Sequence, residues 1–271
     1  MPNRRAGTER LAPLVWSAAA LLVVFLALPM TAMVWRAWGE SRGLTPEALR
    51  VLRRAMGLSL ATTGATMLVV ALLGTPLAYA LARRRFPGAA LVDTLVDLPI
   101  VLPPAVAGIA LLMAFGRRGV LGRWLDEAGI QVTFTTTAVV LAQVFVAVPF
   151  FVRAAKAGFA RVDRDTEAAA ADLGASPARV FWTVTLPLAR PGLAAGAVLA
   201  WARALGEFGA TIMFAGNNAE RTQTMPLAIY GRYYANDLQS ALLLAMVLLG
   251  AAVLVLLSVR LAGGNAGSAG L

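Results

Sequence analysis

The sequence predicts an all-α polytopic membrane protein. Hydrophobic residues make up 59% of the 271 positions and charged residues only 14%, the mean hydropathy is +0.73, and the apolar residues gather into six long stretches. A soluble domain carries about 25% charged residues. Helices are required because hydrocarbon leaves exposed backbone N–H and C=O groups unsatisfied, and the two-residue alternation of a barrel strand is missing. The chain has no Cys and no His. That excludes a disulfide framework, thiolate or imidazole metal sites, a Cys nucleophile, Ser-His triads and histidine proton relays.

The first stretch, Leu11–Trp35, is longer than a signal-peptide core and lacks a small-x-small cleavage site, so it is read as a span. Pro46–Met56 is expected to form a brief amphipathic helix at the interface, with Arg50, Arg53 and Arg54 on its polar side. The second span is Leu58–Ala82. The third, Leu98–Phe115, contains Pro103-Pro104, which must interrupt the helix and free backbone groups, tolerable only where protein or a cavity satisfies them. A hinge or gate and a plain kink are both open there. Thr137–Val152 is the fourth span, short enough to need extension by Val132–Thr136; Leu193–Ala215 is the fifth and Leu238–Leu261 the sixth. Each approaches the roughly 20 residues a helix needs to cross a hydrocarbon core. The spans thus occupy residues 11–261, preceded by a polar N-terminus, 1–10, and followed by a small, Gly-rich tail, 262–271, expected to be flexible.

The formal charge is +10, carried almost wholly by Arg. In a soluble protein that excess would suggest nucleic acid. Here the arginines are dispersed between apolar runs, which excludes nucleic acid as a partner and makes the charge a matter of topology. The distribution of Lys and Arg slightly favours both termini in the cytoplasm, with the cluster Arg83–Arg85 as its best support. Arg117, Arg118, Arg123, Arg221 and Arg232 then fall in outer loops.

Gly192, Gly196, Ala200 and Ala204 recur every fourth residue, as do Gly74, Ala78 and Ala82. Such ladders let helices approach closely, and they are read as packing faces rather than pore. Arg203 and Glu207 are four apart and are expected to share a helix face and pair within the membrane. An intramembrane charge costs a few kcal/mol, so that face should meet protein or water, as pathway lining or as a self-neutralised structural pair. Asp93 and Asp97, also four apart, are read as acids preceding the third span and suited to its dipole. They lack the clustered acids that a metal-dependent membrane enzyme would need.

Residues 153–192 hold most of the non-apolar material. Asp163–Leu173 predicts a short helix with acids at its N-terminal end, where the dipole favours them, and the strong helix-forming run Ala168–Ala171. Gly174 can close it in a left-handed conformation. Ser176-Pro177 supplies an N-cap and first-turn proline for a second helix, expected to end before Leu186-Pro187, with Pro191 preceding the next span.

These residues resemble a known pattern. Glu167-Ala168-Ala169, Gly174 and Val184-Thr185-Leu186-Pro187 are similar to the EAA loop of ABC importer permeases, E-A-A-x3-G-x9-I-x-L-P, with Val for Ile. Counted back from Gly174, that family's Glu falls on Ala168, one residue after Glu167, a turn of about 100° on a helix. The resemblance implies a type I ABC importer permease fold, six transmembrane helices with a cytoplasmic coupling helix between the fourth and fifth. Glu167, Ala168, Ala169, Gly174, Ala175, Leu186 and Pro187 would then form the loop that docks on an ATPase subunit. The chain has no G-x4-G-K-[ST] loop, its one lysine, Lys156, following Ala155. ATP and Mg would therefore be bound by a separate partner, with no cofactor in this chain.

Leu98–Pro104, Phe115–Gly122, Arg203–Thr211 and Thr224–Tyr230 resemble molybdate permease subunits, and sulfate permeases share a version of the third. What this implies is a non-catalytic subunit, in a prokaryotic inner membrane, of an importer for molybdate or tungstate, with sulfate as the alternative. The implied partners are two ATPase subunits, a second permease copy, an extracytoplasmic oxyanion-binding protein and membrane lipid. Arg203, Glu207, Pro103 and Pro104 are the candidates for pathway or gate. Two readings from other classes remain: a self-sufficient secondary transporter or channel, which would need its own ion-coupling site, and a membrane-embedded enzyme.

Overall fold

In the computed structural model, which describes residues 5–39, 45–84 and 86–267, every regular element among the described residues is helical. The order is α1 (Arg5–Gly39), α2 (Pro46–Arg83), α3 (Ala89–Val101), α4 (Pro104–Phe115), α5 (Gly122–Glu127), α6 (Thr136–Ala160), α7 (Arg164–Asp172) and α8 (Pro177–Val180). A π turn (Phe181–Thr185) then leads into α9 (Leu186–Leu205), α10 (Gly209–Ala215), α11 (Met225–Tyr234) and α12 (Leu238–Gly267). Among the described residues, five segments are long and apolar enough to cross a membrane: Val15–Gly39, Pro46–Arg83, Thr136–Ala160, Pro177–Leu205 and Leu238–Val255; Pro104–Phe115 is a shorter apolar helix.

Several boundaries differ from the sequence expectation. Pro46–Met56 is no separate interfacial helix but the first turns of α2, which runs unbroken for 38 residues. Thr45 caps it, accepting from the Ala48 N–H at 3.1 Å, and the buried face Ala48, Ala55, Ser59, Thr62 and Thr66 continues through the expected boundary. Gly57 sits at that boundary, and one interior glycine costs only about 1 kcal/mol. The third expected span is divided at Leu102-Pro103, so that α4 has only 12 residues, about 18 Å of helix. The fifth is divided at Gly206–Phe208. Of the polar ends, Arg85 and residues 1–4 and 268–271 lie outside the described residues. The helix α12 runs into the tail that the sequence marks as flexible, as far as Gly267.

The core is built on α6, whose 25 residues span about 37 Å. It packs against both α2 and α9. The two small-residue ladders face this helix, as packing requires. A Cβ on Gly192 would lie 2.5 Å from the Gly158 Cα, and one on Gly74 2.7 Å from the Phe151 ring, so these positions set how closely the backbones approach. Polar contacts add to this packing: between α2 and α6 the Thr66 hydroxyl donates to Gln143 Oε1 at 3.0 Å, and between α9 and α2 the Trp201 indole N–H donates to Thr63 Oγ1 at 3.1 Å. By contrast α1 is exposed along its described side chains and meets the bundle chiefly through α12, leaving an apolar surface suited to lipid or protein.

The ends of α6 define two ends of the bundle. At its N-terminal end, Arg232 joins Glu47 at 2.9 Å and Asp237 at 3.3 Å, tying the start of α2 to the α11–α12 junction. Asp237 caps α12, accepting from the Ser240 N–H at 3.1 Å. Hydrogen bonding from Ser240, with Arg232 assisting against partial burial, holds this carboxyl below its ordinary range. A depressed folded-state pKa contributes stability above the unfolded value, lost as pH falls through the folded value. Asp237→Asn should therefore shrink the loss of thermal stability on acidification from pH 7 to about 3, read by unfolding in detergent; an unchanged acid limb would show that this cap does not matter.

Candidate functional site

Two constellations stand out, one at each interruption of helical order. The first is the loop at the C-terminal end of α6. Asp163 Oδ1 accepts from the Asp165 N–H at 3.0 Å and starts α7, with Asp165 and Glu167 in its first turn, where the dipole favours them. Gly174 ends it with φ +86°, and the N–H groups of Gly174 and Ala175 bond the Ala171 and Ala170 carbonyls at 2.9 and 3.1 Å. Ser176 Oγ then accepts from the Arg179 N–H at 3.4 Å, and Pro177 opens α8. This local chemistry agrees with the sequence expectation.

The segment after α8 departs from that expectation. The second helix does not stop before Leu186-Pro187; it continues through the π turn into α9, with Pro191 inside that helix. The Leu186 N–H bonds the Phe181 carbonyl five residues back. Widening the turn by one residue shifts the carbonyl that the Pro187 ring would otherwise strike, so the proline is accommodated rather than terminating. The loop is thereby welded to the next span.

α7 buries none of its side chains. Ala168, Ala169 and Gly174 are exposed, Leu173 is 90% exposed and Trp182 is exposed beside them. Ala175, Leu186 and Pro187 are half-buried at the base. Glu167 turns inward: its Oε1 lies 3.2 Å from Arg83 Nη2 and accepts from the Thr185 hydroxyl at 2.5 Å. The offset by one residue from the EAA pattern thus has a structural counterpart, with alanines on the free face and the acid on the inner one.

The second constellation joins the two broken spans. The α3–α4 break and the α9–α10 break are adjacent: a Cβ on Gly209 would lie 2.5 Å from Pro104 Cβ, and one on Gly108 would lie 2.7 Å from the Ala210 carbonyl oxygen. Pro103, Pro104, Arg203 and Glu207, far apart in the chain, are brought to one region. The Arg203–Glu207 pair forms at 2.6 Å, but not on one continuous helix face, because α9 ends at Leu205. Glu207 Oε1 also accepts from the Ala210 N–H at 2.7 Å, capping the short α10, so the pair bridges the break. Glu207 is 1% exposed and the Arg203 side chain 28%, which leaves the cation as the reachable member.

Sequence reasoning missed two features here. Phe208 packs on Tyr230 with ring centroids 5.0 Å apart, and Tyr230 on Tyr234 at 4.4 Å; the only signal was the four-residue spacing of the tyrosines. The other is that Asp93 and Asp97 do not precede a helix but lie within α3, paired across to α6. Lys156 Nζ is 2.7 Å from Asp93 Oδ1, and Arg153 makes a two-pronged contact with Asp97. Their partners are 63 and 56 residues away, beyond local pattern reading. α3 starts early because the Phe86-Pro87-Gly88 turn lets Gly88, at φ +87°, launch it. Both pairs are partly exposed, so solvent screening leaves them little net stabilisation.

Comparison with known proteins agrees with this architecture. Residues 71–263 match the family described as binding-protein-dependent transport system inner membrane component. The molybdenum transport system permease protein of Mycobacterium tuberculosis is 44% identical over 248 residues, covering 90% of this chain and 92% of its own. A probable molybdenum ABC transporter permease protein of Haloferax volcanii is 40% identical over 270 residues, 97% of each chain. The sulfate transport system permease protein of Escherichia coli is 41% identical over 187 residues, 69% of this chain and 68% of its own. Among solved structures, a bacterial ABC transporter involved in alginate import shares the fold at TM-score 0.71, 16% identity, and coverage of 95% of this chain and 96% of that one. With the family pattern and relatives covering nearly the whole chain, the protein belongs to the binding-protein-dependent transport system inner membrane components, the membrane permease subunits of ABC importers.

Proposed function

We propose that the chain is the permease subunit of an ATP-driven importer of a tetrahedral oxyanion, molybdate or tungstate. The observation that carries the reading is the α7–Gly174–α8 loop: an exposed, small-residue face on α7, joined by the Gly174 turn to a helix that continues into a span, suited to a partner's groove. The loop end of the bundle is cytoplasmic, where two ATPase subunits bind ATP and Mg, and both termini share that side. An extracytoplasmic binding protein delivers the anion to the opposite end, and a second copy of this chain completes the pathway. The relatives named for molybdenum transport support the substrate class. The reachable cation at the paired breaks, Arg203, supports an anion. This chain performs no bond chemistry; its work is to bind states of different access and interconvert them.

The test is reconstitution in proteoliposomes with an ABC ATPase and an oxyanion-binding protein from the same organism. Molybdate uptake that needs ATP and all three components is expected, with sulfate failing to compete at equal concentration. Preferred sulfate uptake would move the protein to the sulfate branch. Substrate-driven uptake by the chain alone would replace the reading with a secondary transporter.

A further inference from the structure

Arg83 closes α2 and is nearly buried, its side chain 9% exposed. Its Nη2 donates to the Val162 carbonyl at 2.7 Å and lies 3.2 Å from Glu167 Oε1, the same oxygen that the Thr185 hydroxyl reaches at 2.5 Å. Three segments therefore meet at one guanidinium–carboxylate contact: the end of α2, the α6–α7 junction and the π turn at the base of α9. α7 has no buried side chain to hold it, and a surface element without an apolar anchor moves independently of the body beneath it. A planar guanidinium that grips a carboxylate and a carbonyl together restrains direction as well as distance.

We propose that Arg83 is a positioning residue of the coupling movement, bracing α7 through Glu167 so that force applied to the exposed Ala168, Ala169 and Leu173 face moves α2 and α9 instead of being absorbed in the loop. Glu167 is then an internal strut, not a contact for the ATPase. The proposal rests on the docking role given to this loop, and its test separates the two.

The chain has no cysteine, so Leu173→Cys admits a single nitroxide on the free end of α7. In the purified permease alone, Arg83→Gln and Glu167→Gln should each raise the mobility of that label, and Arg83→Lys should raise it less. Without the label, in the reconstituted complex, Arg83→Gln should raise the phosphate released per anion imported by about fivefold or more, the scale of a typical coupling free energy, with the amount of co-purified ATPase unchanged. Unchanged mobility, unchanged stoichiometry, or loss of bound ATPase in parallel with uptake would each overturn the brace. If Arg83→Gln does not fold, Glu167→Gln, which removes the same pair from its more exposed side, decides by both measurements. Failure of the wild-type complex to import with ATP would sink the function proposed above, while label mobility in the isolated permease still decides the brace.

Discussion

Gly174→Pro should abolish ATP-driven uptake while leaving the chain inserted and associated as a folded permease. Gly174 has φ +86°, and proline is held near −65°, so the turn between α7 and α8 must re-form elsewhere. The substitution also removes the N–H that bonds the Ala171 carbonyl at 2.9 Å. Strain of about 1–3 kcal/mol at a forced backbone and a lost hydrogen bond of about 1 kcal/mol fall on a segment that buries no side chain of α7, so the core on α6 is spared. Gly174→Ala keeps the N–H and imposes only the left-handed penalty, about 1–2 kcal/mol, and should retain part of the uptake. Uptake, ATP hydrolysis and membrane content measured together separate the outcomes. Normal uptake in the proline variant would remove the loop from the mechanism.

Arg203→Ala should reduce uptake severely and also weaken the fold, and the two losses can be separated. Removing the cation leaves Glu207, 1% exposed, without its charged partner, and breaking a buried pair from one side costs about 3–5 kcal/mol. Arg203→Ala/Glu207→Gln removes that uncompensated charge and keeps a side-chain oxygen for the Ala210 N–H. Folded protein should return in the double variant, measured by monodisperse yield and thermal unfolding, while uptake stays low if Arg203 lines the path. Recovery of uptake together with fold would make the pair structural only. The tilted aromatic contacts Phe208–Tyr230–Tyr234 border the same break.

The loop illustrates what local chemistry can and cannot reveal. Asp163, Gly174 and Ser176-Pro177 each act through neighbours within four residues, so cap, left-handed turn and restart were readable in order. Pro187 was misread because proline chemistry alone says stop, whereas a wide turn upstream lets the helix pass. The inward turn of Glu167 depends on Arg83, 84 positions earlier in the chain, and no spacing rule reaches that far. Likewise Asp93 and Asp97 carried the right four-residue period but the wrong explanation, since their partners sit on another helix.

Apolar run length determined, from the sequence alone, that this is a helical membrane protein, because hydrocarbon admits few alternatives. The motif residues pointed to an importer permease through their resemblance to that family, and the caps and turns they encode were readable because they are local. Tertiary structure alone decided that the two broken spans meet at Pro104 and Gly209, that the Arg203–Glu207 pair bridges a break, and that Glu167 of the loop meets Arg83 of α2. Those are contacts between segments distant in sequence, set by how closely small residues allow helices to approach, and such approach is a property of the packed bundle rather than of any one stretch of chain.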